Sequence, residues 1–255
     1  MSGGVGNSTG RDGGKDQWVM AVLIAIEGID GSGKGTQAGL VTRRLTDLGY
    51  RTSSIQFPRY SATSFGAAIG DFLNGRFGSL DEVHPQLAAV LYAGDRFESL
   101  GVLAEAMDSS DVVVLDRFTA SNFAHQAAKL LGKEREKLID WIDDIEHRVF
   151  GLPRPELNVL LDISSSWSRE LVSRKAARDY TSEEADIQES DRPYLERVRE
   201  CYRDIAATRD NWAVVECLGG DGELRDIDAI SDDILECITP LLIDLPDPNP
   251  AAPLH

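Results

Sequence analysis

Cysteine is scarce in this 255-residue chain. Only Cys201, Cys217 and Cys237 occur, an odd number without metal-ligand spacing. That pattern argues against a disulfide framework and suits a reducing compartment. The three read as ordinary packing or surface residues. Positive charge is also in short supply, with 26 Lys and Arg against 43 Asp and Glu, a formal net charge of -17. Generic nucleic-acid binding needs basic surface to displace counterions, so nucleic acid is not an expected partner. A small phosphorylated ligand stays open, because a few local cations can serve one pocket. The acidity itself reads as a solubility feature. No apolar run approaches the ~20 residues of a membrane-spanning helix. The opening "MSGGVGNSTGRDGGKDQ" is Gly-rich and polar, without the apolar stretch of a secretory leader. The expectation is a cytoplasmic protein with no membrane partner. It has a disordered tail over 1–17, a single domain over 18–243 and a Pro-rich tail over 244–255.

Hydrophobic residues make up 42% of the chain, enough for a substantial core. They fall in a regular order. "VMAVLIAIE" (19–27) is a nearly continuous apolar run ending in an acid, as in a strand buried on both faces. A Gly-rich turn follows, then a helix from about 34 to 48 closed by Gly49. "RTSSIQF" (51–57), "DVVVLD" (111–116), "LNVLLDI" (157–163) and "WAVVEC" (212–217) read as further strands. Apolar spacing predicts helices over 64–74, 84–107, 119–131, 134–149 and 226–242. Another carries Tyr194, Val198 and Tyr202 on one face. Strands alternating with helices imply a parallel sheet covered on both sides, with ligands at the carboxyl ends of the strands.

The stretch "IEGIDGSGKGTQ" (26–37) sits at such an end. Gly28, Gly33 and Lys34 have the spacing of a phosphate-binding loop, but Gly35 stands where a hydroxyl is usual, and Thr36 follows one place late. The glycines let backbone N–H groups converge on phosphate oxygens, and the helix start adds positive potential. Asp116 ends an apolar run, the pattern of a carboxylate that works on Mg²⁺. Arg117 follows at once. Arg59 of "FPRY" is aimed at the same edge and could grip a phosphate with two hydrogen bonds, or be a solvated turn arginine. Tyr92 and Arg96 share a helix face, as do Asn122 and His125. Either pair could serve a base, or belong to an ordinary amphipathic helix. Arg174, Lys175 and Arg178 form a basic cluster beside the acidic run "TSEEADIQESD". They could close over phosphates or be charge-paired in solvent.

These pieces, in this order from about 22 to 202, resemble thymidylate kinase, a P-loop nucleoside monophosphate kinase family. The carriers are "IEGIDGSGKGTQ", "FPRY", "YAGDRFES", "LDRFTASNFAHQ" and the segment before "YLERVRECY". The resemblance implies an α/β P-loop NTPase three-layer fold: a five-stranded parallel sheet, helices on both faces and a short lid at about 170–190. It implies transfer of phosphate from ATP to dTMP with Mg²⁺, by a homodimer. Gly28, Gly31, Ser32, Gly33, Lys34, Gly35 and Thr36 would hold ATP. Asp116 and Thr36 would serve the metal. Asp30, Phe57, Arg59, Tyr92, Arg96, Arg117, Asn122 and His125 would form the dTMP pocket. Lys34, Asp30, Arg117, Arg178 and Arg174 would carry catalysis, with Arg178 the first choice for the transition-state cation. Glu189 matches a lid acid.

The loop lacks the arginine that one branch of the family carries, and the lid arginines place the chain with the bacterial-type branch. Two residues depart from the pattern. His125 stands where some relatives have a tyrosine that crowds out a ribose 2′-hydroxyl, and Phe118 replaces the commoner tyrosine after Asp-Arg. The alternatives are an adenylate- or uridylate-type kinase, since "GSGKGTQ" is also adenylate-kinase style, and a nucleotide-binding regulator without catalysis.

Overall fold

The structure, a computed structural model, describes residues 21–79, 82–179, 192–243 and 245. The expected tail over 1–17, Trp18, Glu189 and nearly all of the Pro-rich tail lie outside the described residues.

Five strands form one sheet: β1 (Val22–Glu27), β2 (Thr52–Gln56), β3 (Val112–Asp116), β4 (Leu157–Asp162) and β5 (Trp212–Glu216). Their order is β2-β3-β1-β4-β5, and every pairing is parallel. All residues of β1, β3 and β4 are buried, whereas the edge strands β2 and β5 are partly exposed. This explains why the central strands read as unbroken apolar runs. Successive β1 residues feed two different cores. Val22, Ile24 and Ile26 join one with Val41, Phe123, Val198 and Ile234. Leu23 and Ala25 join the other with Leu103, Val113 and Phe118. Helices therefore cover both faces of the sheet.

The helices are α1 (Lys34–Asp47), α2 (Ser64–Leu73), α3 (Pro85–Glu98), α4 (Leu100–Ser109), α5 (Thr119–Ala127), α6 (Gly132–Asp143), α7 (Ser165–Asp179), α8 (Arg192–Thr208) and α9 (Ile227–Leu242). The predicted faces hold where tested: Tyr194, Val198 and Tyr202 of α8 are all buried. Three predicted helices change, and the one expected over 119–131 ends at Ala127. The single helix expected over 84–107 breaks at Ser99, whose Oγ donates to the Asp95 carbonyl (2.8 Å) and competes with the backbone ladder. The helix expected over 134–149 starts at Gly132, and its last part, Asp144–Val149, widens into a π-helix.

Helices α2 and α3 approach so closely that a Cβ on Gly94 would lie 2.5 Å from the Phe65 ring. In an open helix, Ala in place of Gly gains about 1 kcal/mol. Here overpacking should win, and Gly94→Ala should cost about 1–3 kcal/mol in urea unfolding. A gain in stability would show that the contact yields freely.

Candidate active site

The carboxyl end of β1 runs into the Gly-rich loop, and the loop opens α1. Gly31 has φ +76, and a Cβ there would sit 2.5 Å from the Ser168 carbonyl of α7. Only glycine allows this loop to lie against that helix. Lys34 begins α1 and is buried; its Nζ donates to the Ile29 carbonyl at 2.7 Å and lies 3.5 Å from Ser32 Oγ. Burial, reinforced by the nearby Arg117 guanidinium, pulls the Lys34 ammonium down to about 8.

Gly35 has a structural reason. A Cβ there would lie 2.9 Å from Asp116 Oδ2, so the carboxylate at the end of β3 already fills that space. Asp116 is buried, while Thr36 is exposed. No group of three or more His, Cys, Asp or Glu among the described residues could hold a metal. One carboxylate beside a phosphate-binding loop still fits Mg²⁺, which takes few protein ligands and fills its shell with water and phosphate oxygens.

Behind the loop lies a carboxylate to which the motifs assign no role. Glu27, the last residue of β1, is fully buried. It accepts hydrogen bonds from the Phe118 backbone N–H (2.8 Å), Ser121 Oγ (2.6 Å) and the Tyr202 hydroxyl (3.0 Å). The backbone between β3 and α5 is pinned there, with Arg117 in the left-handed region at φ 67. The Arg117 side chain turns back over the loop. It donates to the Gly28 carbonyl and to Ser121 Oγ, each at 3.2 Å, and pairs with Asp30. Burial opposes ionisation of Asp30, but Arg117 and then Lys34 outweigh it and hold the carboxyl down, to about 2.

One cavity opens beside this pair. Asp30, Phe57, Tyr92, Arg96, Arg117, Asn122 and His125, seven of the eight residues expected in the acceptor pocket, line it. Arg59 is not among its lining. Its backbone N–H donates to Asp95 (3.1 Å) and its Nη1 to Ser99 Oγ (3.2 Å), so it braces the broken end of α3. In the same lining Arg96 makes a buried two-pronged ion pair with Glu146, through Nε at 2.7 Å and through Nη2. Asn122 Nδ2 donates to Glu146 Oε1 at 2.7 Å and to the Ala89 carbonyl at 3.0 Å. Asn122 Oδ1 is buried without a partner. Gln126, also in the lining, is fully buried with both amide atoms unpaired. Glu146 and Gln126 escaped the sequence reading. Gln126 ends the quoted "TASNFAHQ", one place after His125, whereas Glu146 has no local signal and reaches the site from the π-helical segment. Arg174 and Arg178 belong to α7, and their side chains, with that of Lys175, lie outside the described residues.

A phosphate-binding loop, a buried acid at the neighbouring strand end and a cavity walled by two paired arginines share one sheet edge. They define a P-loop phosphotransferase. The chain belongs to the thymidylate kinase family, whose model, "Thymidylate kinase", matches residues 26–219. A thymidylate kinase of Mycobacterium tuberculosis is 33% identical over 197 residues, 76% of this chain and 91% of that one. A probable thymidylate kinase of Thermococcus gammatolerans is 31% identical over 192 residues, covering 73% and 84%. The solved structure of thymidylate kinase from Candida albicans superposes with a TM-score of 0.64 at 25% identity, over 87% of this chain and 92% of that one.

Glu146→Ala should strip Arg96 of its buried partner and lower stability by roughly 3–5 kcal/mol, because the remaining charge is uncompensated. Denaturant unfolding checks this. A loss under 1 kcal/mol would mean that the guanidinium finds water or another acceptor.

Proposed function

We propose that this chain transfers the γ-phosphoryl group of ATP to the 5′-phosphate of thymidine monophosphate, in the supply of thymidine triphosphate. The observation that carries the reading is the cavity itself. It has a phosphate-sized cation, Arg117, at the loop end and hydrogen-bonding groups for a base at the other end. Arg96, Asn122 Oδ1 and the Gln126 amide offer both donors and acceptors, as a pyrimidine edge requires. Phe57 and Tyr92 supply apolar walls.

The chemistry is mostly positioning and charge neutralisation. The loop amides and Lys34 hold the donor phosphates. Arg117 receives the acceptor phosphate, and Asp30 fixes the direction of its guanidinium. The acceptor is already an anion, so no strong base is needed. Asp30 suits that division of labour, because its carboxyl stays ionised at neutral pH. Asp116 would hold Mg²⁺ beside the donor phosphates, with Thr36 the nearest loop hydroxyl in sequence. When bound, the ion neutralises developing phosphate charge. Arg178, with Arg174 second, supplies the transition-state cation from the lid. Exposed Leu87, Phe97 and Val102 on α3 and α4 supply an apolar face for a homodimer. Among the described residues no helix is long and apolar enough to cross a membrane, and we place the enzyme in the cytoplasm.

A coupled assay with ATP, Mg²⁺ and a panel of thymidine, uridine, adenosine and deoxycytidine monophosphates tests the substrate. Thymidine monophosphate should give the highest kcat/KM. Preference for adenosine monophosphate would overturn the reading. Tight ATP binding without ADP release on any monophosphate would point to a regulator instead. The pH profile adds a second check. The cationic form of Lys34 grips phosphate, so kcat/KM for ATP should fall as pH rises through about 8. A profile flat to about pH 10, the range of an ordinary lysine, would contradict that role.

A further inference from the structure

A second cavity shares none of its lining with the acceptor pocket. Residues of α5, of the π-helical segment, of the stretch before β4 and of the turn between α8 and β5 enclose it. It holds about 240 Å³, below the ~300–1,000 Å³ of pockets for drug-sized ligands, so it suits a small ion and not a nucleotide.

The charge there is positive and partly unspent. Arg154 donates from Nη1 (2.8 Å) and Nη2 (2.5 Å) to Asp143, the last residue of α6. Arg209 stands 3.7 Å from the same carboxylate and over the Phe123 ring, and it makes no hydrogen bond to any described residue. Both arginines line the cavity. Two guanidinium groups thus share one carboxylate, and the three side chains carry one net positive charge. Burial holds the His147 imidazole of the lining below its ordinary range, so that ring adds no charge at neutral pH. Such a set favours an anion.

The acceptors narrow the choice of anion. Asn158, also in the lining, is 5% exposed, and its Oδ1 is buried without a hydrogen-bond partner. Its Nδ2 faces the Asn211 carbonyl at 3.4 Å. His147 Nδ1 lies 2.9 Å from the Leu152 carbonyl, which can only accept, so Nδ1 carries the proton and Nε2 is a further acceptor. A fully deprotonated oxyanion gives these acceptors nothing. An oxyanion that keeps one O–H satisfies an acceptor and still offers its other oxygens to the guanidinium groups. Inorganic phosphate keeps an O–H at neutral pH. Sulfate does not, nor does a phosphate monoester above its second pKa of about 6.

We propose that this cavity is a second anion site, separate from the nucleotide site, and that it takes inorganic hydrogen phosphate: Arg209 and Arg154 meet its charged oxygens, and Asn158 Oδ1 accepts from its hydroxyl. The site does not depend on which nucleotide the acceptor cavity takes.

Trp212 lines the cavity and supplies a local probe. Its indole ¹H–¹⁵N signal, assigned by its loss in Trp212→Phe, is followed as inorganic phosphate is added to the full chain at about pH 8 and constant ionic strength. Trp167, next to the Ser168 whose carbonyl crowds Gly31, reports separately on phosphate at the nucleotide loop. A saturable Trp212 shift with a Kd below about 10 mM is expected. Sulfate and methyl phosphate should bind at least about tenfold more weakly, because each leaves Asn158 Oδ1 unpaired. Arg209→Gln should weaken phosphate by a similar factor, and Asn158→Leu should bring phosphate down to the level of sulfate. The proposal is overturned by a Trp212 signal that does not move up to about 50 mM phosphate, which would mean that water alone fills the cavity. Equal affinity for sulfate, or an affinity unchanged in Arg209→Gln, overturns it as well. If Asn158→Leu fails to fold, the sulfate and methyl phosphate comparison still decides the role of Asn158.

Discussion

The carboxylate of Glu27 is the constraint on which the site depends. It ends the central strand, is fully out of solvent, and is tolerated there because three donors from three places satisfy it. Those donors belong to the turn after β3, to α5 and to α8. One side chain thus joins the phosphate-binding loop's own strand to the two helices that bear Ser121, His125, Tyr194 and Tyr202. It also holds the turn in which Arg117 takes a left-handed backbone, a conformation that costs about 1–3 kcal/mol in a residue with a side chain. Because the backbone turns that way, the guanidinium folds back over Gly28 and reaches Asp30. The cation expected to meet the acceptor phosphate is therefore placed by the sheet, not by a flexible loop.

The cavity has a second buried network with a different purpose. Arg96 and Glu146 neutralise each other, and Asn122 joins them. A buried ion pair adds little net stability relative to an apolar replacement. Its value here is geometric, since it fixes a guanidinium and an amide at the cavity surface with one amide oxygen left over. The π-helical segment that carries Glu146 serves the same end, because the wider turn changes which residues face inward. Two fixed cations line the cavity, and among the described residues the buried unpaired side-chain atoms of its lining belong to Asn122, His125 and Gln126 of one helix, α5.

Much of this was legible in the sequence, for physical reasons. Strands buried on both faces must be continuous apolar runs, so β1, β3 and β4 stood out. Their ends placed Asp116 and Arg117 beside Lys34. The loop glycines advertised a backbone that other residues cannot adopt. Gly35 looked like a flaw until the Asp116 carboxylate was seen to occupy its side-chain space. What stayed hidden depends on distance along the chain. Arg59 had the right motif, but its partners, Asp95 and Ser99, lie 36 and 40 residues away and no local pattern announces them. Glu146 pairs with an arginine fifty residues earlier. Glu27 was visible as an acid closing an apolar run, but only its three donors reveal why it is there. Ser99 broke a helix that apolar spacing alone would have continued.

The central claim is that paired cations at the two ends of the cavity hold a pyrimidine monophosphate between them. A crystal structure of the chain with thymidine monophosphate tests it most directly. The expected result places the phosphate on the Arg117 guanidinium and the base against Arg96, Asn122 and Gln126. A nucleotide bound with its phosphate at the Arg96 wall, or outside this cavity altogether, would contradict the account.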